Sequence, residues 1–224
     1  MIRLQFDRIP PGARVGPHQH DVETVLYLAA GQIVYRYGDG LAHEVVVEAG
    51  DVLYEAPAAR HVVENHGRID ALALLAAVEP RPGGRESQGS AEPGDQPPVR
   101  RGALARVRQN GGVEHRLIAP PGAFGTPTFA IAEVTVAPGV TTEWHRHPAA
   151  EHVLVVFEGR GEITVDQVTE TLEPLTGIRI RPGAIHQVRN PGRWPLRYLV
   201  CASPGTDPLV DRQIAQAPRR RSGA

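Results

Sequence analysis

The stretch Pro138-Gly139-Val140-Thr141-Thr142-Glu143-Trp144-His145-Arg146-His147-Pro148-Ala149-Ala150-Glu151-His152, continuing through Val153-Leu154-Val155-Val156-Phe157-Glu158 to Gly159, decides the fold, because the chain carries its pattern twice. The earlier copy runs from Pro11-Gly12 through His18-Gln19-His20 and Glu23 to Gly31. In both, five residues separate the glycine from a His-x-His pair. The pairs are offset by 127 positions, and the Glu and Gly that follow by 128. A second cluster, His61 with Asn65 and His186 with Asn190, repeats at an offset of 125. A pattern recurring in register over this distance marks one duplicated unit.

The 224 residues suffice for two such units of about 100 residues each. Glycine (24) and proline (21) are scattered throughout, which suits short strands joined by tight turns. Apolar runs and alternations predict strands over Thr24–Leu28, Ile33–Tyr37, Glu44–Val47, Val52–Tyr54 and Ala71–Val78. The second half offers Phe129–Val136, His152–Phe157, Glu162–Val165, Ile178–Ile180 and Leu196–Cys201. No segment of useful length has a helical period, so the expected class is all-β. The expected organisation is an N-terminal barrel over 1–80, a linker over 81–101, a C-terminal barrel over 102–206 and a tail over 207–224. The linker rests on RPGGRESQGSAEPGDQPPVR, whose polar and Pro/Gly-rich composition cannot offset its ordering entropy by burial. In the tail, composition allows a short helix over Leu209–Gln216.

Charge and cysteine content exclude several function classes. Net charge is −1, without the broad basic surface that nucleic-acid binding needs. Every basic residue is arginine, so lysine Schiff bases and Walker-type phosphate loops are excluded. One cysteine, Cys201, makes neither an internal disulfide nor a thiolate metal cluster, and a reducing cytoplasmic setting is expected. Met1–Gly12 has no apolar run of secretory length, and Ala71–Val78 is far shorter than the ~20 residues that span a bilayer. The expectation is a soluble protein with no membrane and no nucleic-acid partner.

Six of the ten histidines fall on repeated positions: His18, His20, His61, His145, His147 and His186. Side chains alternate along a strand, so His-x-His puts two imidazoles on one face. A third imidazole from a later strand can meet them inside a small barrel. Neutral imidazoles suit Fe, Ni, Cu or Zn. His43, His66 and His115 lie off the pattern and read as surface residues.

On these residues the chain resembles the cupin superfamily over roughly 5–80 and 102–204. Val155-Val156-Phe157-Glu158-Gly159 resembles the strand and turn that close its first motif. Arg181-Pro182-Gly183-Ala184-Ile185-His186-Gln187-Val188-Arg189-Asn190 resembles its second. Gly50 through His61 and Asn65 is similar to the second motif also, less one glycine before the histidine. The resemblance implies two tandem antiparallel jelly-roll (cupin) β-barrels with a metal deep inside. It implies a ligand set of His145, His147 and His186 in the second barrel and of His18, His20 and His61 in the first.

Two registers compete for the fourth ligand. The spacing to Gly159 selects His152, and the spacing from His147 selects Glu151; a one-residue shift reverses a side chain's face, so one of them coordinates. His152 is preferred, which leaves Glu151 as the catalytic acid–base group. In the first barrel the same spacings select Thr24, a poor ligand, or Glu23. Arg179 and Arg181 share a strand face near His186 and are the candidates for clamping a substrate carboxylate. The function so implied is a metal-dependent bicupin enzyme acting on a small polar or carboxylated metabolite. An Fe(II) dioxygenase comes first and a non-redox decarboxylase or isomerase next, with Mn, Ni, Zn and Cu as other cofactors. The alternative is a non-catalytic small-molecule-binding or regulatory bicupin. Exposed sheet edges and the family's habit imply a homodimer.

Overall fold

The computed structural model describes residues 1–78, 99–102, 105–124, 128–205, 207 and 211–218. The chain divides into two compact units, Met1–Ala105 with Gly122–Thr128 and Arg106–Pro121 with Phe129–Ala224. Among the described residues there is no α-helix; a 3-10 turn spans Asp39–Leu41. The class is all-β, as the patterning predicts.

In the first unit a five-stranded antiparallel sheet has the order Ile2–Ile9, Ala71–Val78, Thr24–Ala30, Val52–Glu55, Val99–Arg100. A four-stranded sheet, Arg14–His18, His61–Glu64, Gln32–Tyr37, His43–Glu48, completes the jelly roll. Leu26, Leu28, Ile33, Tyr35, Leu53 and Val63 form its core. The second unit repeats the plan. Its six-stranded sheet runs Arg106–Asn110, Val113–Ala119, Ala130–Val136, Leu196–Ser203, Glu151–Glu158, Gly177–Ile180. Its five-stranded sheet runs Val168–Leu172, Gly161–Val165, His186–Arg189, His145–Arg146, Gln213–Ile214. Val134, Val136, Leu154, Val156, Ile180 and Leu196 fill this core.

Period-two alternation fixes which residues look inward. Leu154 and Val156 are core residues, so His152 shares their face and Glu151 lies on the other. Leu26 and Leu28 likewise bring Thr24 inward, and Leu53 brings Glu55.

The repeated glycines and asparagines hold the frame. Gly31 and Gly159 both adopt φ near +80°. A Cβ on Gly31 would lie 2.8 Å from the Asp70 carbonyl oxygen, and one on Gly159 would strike that of Pro195. Only glycine fits there. Asn190 is fully buried; its amide donates to the carbonyls of Val136 (2.8 Å) and Trp194 (2.9 Å), and its Oδ1 accepts from Gly192 N (3.0 Å). Asn65 repeats this with Ile9 (2.7 Å), Ile69 (2.9 Å) and Gly67 N (2.8 Å). The glycine missing before His61 is replaced by Ala58, which takes the same left-handed conformation (φ 60°) as Gly183 (φ 77°).

Two local expectations differ from the structure. Val99–Arg100, assigned to the linker from composition, pairs as a strand with Val52–Leu53. Arg101 and the Gly102 amide then both donate to the buried Asp51 carboxylate, at 2.6 and 2.9 Å. The linker's 81–98 lie outside the described residues. In the tail, where a helix over Leu209–Gln216 was allowed, residues 208–210 lie outside the description and Gln213–Ile214 is a strand on His145–Arg146. No helix is long and apolar enough to cross a membrane among the described residues.

Candidate metal centres

In each barrel two strands bring the histidines together in register. His145 stands directly opposite His186, and His18 directly opposite His61. Cross-strand partners share a face, so the rings meet with centroids 4.1 and 4.3 Å apart. A backbone bond ties the second histidine's residue to the turn before the third. Gly183 N donates to the His147 carbonyl (2.8 Å) and Ala58 N to the His20 carbonyl (2.7 Å). The ring nitrogens of His145, His147 and His186 that can serve as donors lie within 4.8 Å of one another, as do those of His18, His20 and His61. Nδ1 of His145, His186 and His61 contacts a carbonyl oxygen two residues earlier, which orients Nε2 as the free donor.

His152 packs on His147 with ring centroids 4.0 Å apart, and its buried Nε2 has no hydrogen-bond partner. Burial, with neighbouring histidines adding to it, lowers the pKa of His145 and His147 to about 2 and of His152 to about 3. His186 is lowered by burial as well. All four imidazoles are therefore neutral at pH 7, with lone pairs available. Neutral imidazole nitrogens gathered in this way are donors that suit a divalent transition metal.

These four line one cavity of about 310 Å³. Leu154, Val188 and Val200 form apolar walls, and His115 and Arg212 complete it. His115, read as a surface residue, is instead half-buried, its Nδ1 unpartnered, and burial lowers its pKa to about 4. It belongs to Val113–Ala119, whose pattern shows no clear alternation. Arg212 reaches the cavity from the tail strand, which His145–Arg146 hold through the pairs His145↔Ile214 and Arg146↔Gln213. Its side chain is 18 % exposed; one end lies 3.5 Å from Glu143, while Nε is buried without a partner.

Arg179 and Arg181 do not line this cavity. Ile178 and Ile180 take the inward face of their strand, so the two arginines point out. Arg179 pairs with Glu151 at 2.9 Å, and Arg181 is 81 % exposed, 3.8 Å from Asp166. Glu151 is thus held on the outer face, away from the histidines.

In the first barrel Glu23 is likewise outside the histidine group. Its carboxylate accepts from the Tyr54 hydroxyl at 2.9 Å and from Thr128. Thr24 faces the group but donates to the Val22 carbonyl. The carboxylate that reaches the histidines is Glu55, 1 % exposed, with oxygens 3.0 Å from His20 Nε2 and 3.4 Å from His61 Nε2. Its contact raises the pKa of His20, whereas burial lowers that of His18.

A family model described as "Cupin domain" matches residues 5–77 and 132–201. An oxalate-binding protein of Thermotoga maritima is 33% identical over 75 residues, 32% of this chain and 56% of that protein. An uncharacterised protein of Methanocaldococcus jannaschii is 33% identical over 75 residues, 34% of this chain and 60% of that one. The match therefore spans less than two thirds of either relative. Oxalate decarboxylase from Bacillus subtilis superposes with a TM-score of 0.74 at 18% identity, covering 90% of this chain and 68% of the enzyme. Another structure of that enzyme, from work on its Mn(II) centres, gives 0.73 at 19%.

Proposed function

Since the chain belongs to the cupin family as a tandem pair of cupin domains, we propose that its C-terminal barrel holds a divalent transition-metal ion and acts on a small carboxylate-bearing metabolite. The observation that carries this is one cavity of about 310 Å³ shared by His145, His147, His152 and His186 with the guanidinium of Arg212. When bound, the ion supplies Lewis acidity, or dioxygen chemistry if it is iron. Four neutral donors leave its double charge uncompensated, which favours an anionic ligand. Arg212 is the second anchor, since a guanidinium with a buried, unpartnered Nε fits a carboxylate. The volume lies at the low end for ligand pockets, about 300–1,000 Å³, and so selects small molecules. The apolar walls exclude water around them.

The name of the Thermotoga relative and the activity of the Bacillus structures support a dicarboxylate such as oxalate as the first compound to test. Iron remains the first ion to load for a dioxygenase reaction, and manganese, the ion of the structural neighbour, the first for decarboxylation. Cytoplasmic location and a homodimer through exposed strands such as Arg106–Asn110 belong to the same reading. A non-catalytic carboxylate-binding bicupin is the second reading, favoured by that relative's description as a binding protein. The test is to load metal-free protein with Fe(II) or Mn(II) and offer oxalate and other small carboxylates. Carbon dioxide release and oxygen uptake are recorded beside calorimetric binding. Metal-dependent turnover supports the enzyme, and tight binding without turnover supports the second reading. Neither metal nor carboxylate binding would sink both.

A further inference from the structure

We propose that the substrate of the C-terminal site carries an apolar body of about six to eight carbon atoms behind its carboxylate head, held by Leu154, Val200, Val134, Tyr198 and Val188. The assignment rests on the C-terminal barrel being a metal-dependent carboxylate site, and adds what lies behind the carboxylate. The inward faces of both sheets turn apolar directly beyond the histidines. On Glu151–Glu158 the inward residue after His152 is Leu154, with Val200 opposite it. One level further in the same direction, Tyr198 stands opposite both Val156 and Val134. On the other sheet Val188 follows His186 by two residues and so takes the same face. Leu154, Val200, Val134, Tyr198 and Val188 are buried in the barrel, and all of them line the cavity. At about 3.3 Å per residue, the level of Tyr198 and Val134 lies about 13 Å along the strands from His152.

A dicarboxylate as small as oxalate does not fill that length. The cavity volume is about 310 Å³. An apolar cavity of about 150 Å³ already holds a benzene molecule, so room for a ring-sized group remains once the head is placed among the histidines and Arg212. Water is a poor occupant of the remainder. A buried water needs about two to four polar partners, and the side chains of Leu154, Val200, Val134 and Val188 offer none. An apolar group that takes its place gains about fourfold in affinity for each methylene buried. The division of labour is then plain: the polar end of the cavity binds the head, and the valines, Leu154 and the Tyr198 ring select the body.

The experiment is calorimetry on the full chain loaded with Mn(II), with oxygen excluded, using pyruvate and phenylpyruvate beside oxalate. The two oxo acids share one head and differ in the body. Phenylpyruvate is expected to bind at least about tenfold more tightly than pyruvate. Val134→Phe, which sets a ring where the body of the substrate would lie, should remove most of that preference. A preference below about tenfold in wild type, or one left unchanged by Val134→Phe, overturns the inference. As long as oxalate or pyruvate still binds, the metal and carboxylate reading of the site survives that result. If none of the three acids binds, that reading fails and the inference with it. Should Val134→Phe fail to fold, crystals of the wild-type protein with phenylpyruvate decide: the ring packs against Leu154 and Val134, or the inference is wrong.

Discussion

Replacing Asn190 with alanine should destabilise the C-terminal barrel by about 3–4 kcal/mol. The side chain is fully buried and makes three hydrogen bonds, to Val136 O, Trp194 O and Gly192 N. Each is worth about 1 kcal/mol net, which gives about 3 kcal/mol before any penalty for stranded partners. Gly192 and Trp194 lie in an exposed turn, so water can satisfy their backbone groups afterwards. The Val136 carbonyl sits in the core, where Val136 is 0 % exposed, and retains part of its desolvation cost. Asn190→Asp should cost at least as much, because it turns a second acceptor toward two carbonyls. Both tryptophans, Trp144 and Trp194, belong to this barrel, so urea unfolding followed by tryptophan fluorescence reports on it directly. The protein should be metal-free, since a bound ion adds its own stabilisation. A loss below about 1 kcal/mol for Asn190→Ala would refute the claim that this residue braces the frame.

Gly159→Ala, at φ +80° and facing the Pro195 carbonyl, should cost more than about 2 kcal/mol, whereas Gly139→Ala, at φ +75° with open space, should cost about 1; equal losses in the same urea assay would contradict the steric account. Metal-free protein should lose stability as pH falls below about 6.5, because unfolded His115 takes up its proton there while folded His115 resists until about pH 4. That residue alone accounts for up to about 3 kcal/mol, and His115→Gln should make the profile less steep between pH 7 and pH 4.5, leaving the slope contributed by the other buried histidines. Arg212→Ala should weaken oxalate binding to metal-loaded protein by about tenfold or more, and Arg179→Ala should leave it unchanged; calorimetry showing the reverse would return substrate recognition to the outer face.

Much of the fold was legible because duplication made the pattern redundant. His-x-His, Gly31 and Gly159, and Asn65 and Asn190 each answer to one geometric demand that occurs twice. Some strands missed in the sequence have no buried alternation, such as Arg106–Asn110, which keeps almost no apolar face. The site was harder to read for a related reason. Spacing alone could not say which of Glu151 and His152 turns toward the other histidines, but the inward face that His152 shares with Leu154 and Val156 does. The same parity turns Arg179 and Arg181 outward. Glu55 escaped notice because its counterpart, Ile180, is an ordinary core residue, so the repeat gave no hint of a carboxylate beside the histidines there. Arg212 escaped because it comes from a tail whose pairing with His145–Arg146 leaves no local sequence signal.

The central claim is that the clustered histidines of the C-terminal barrel hold a metal ion. Elemental analysis of protein purified without a metal-affinity step, comparing wild type with His145→Ala/His147→Ala, tests it most directly. Wild type should carry a transition metal or take one up from Fe(II) or Mn(II), and the variant should hold one ion fewer per chain. A wild type that takes up no ion, or a variant with undiminished metal content, would contradict it.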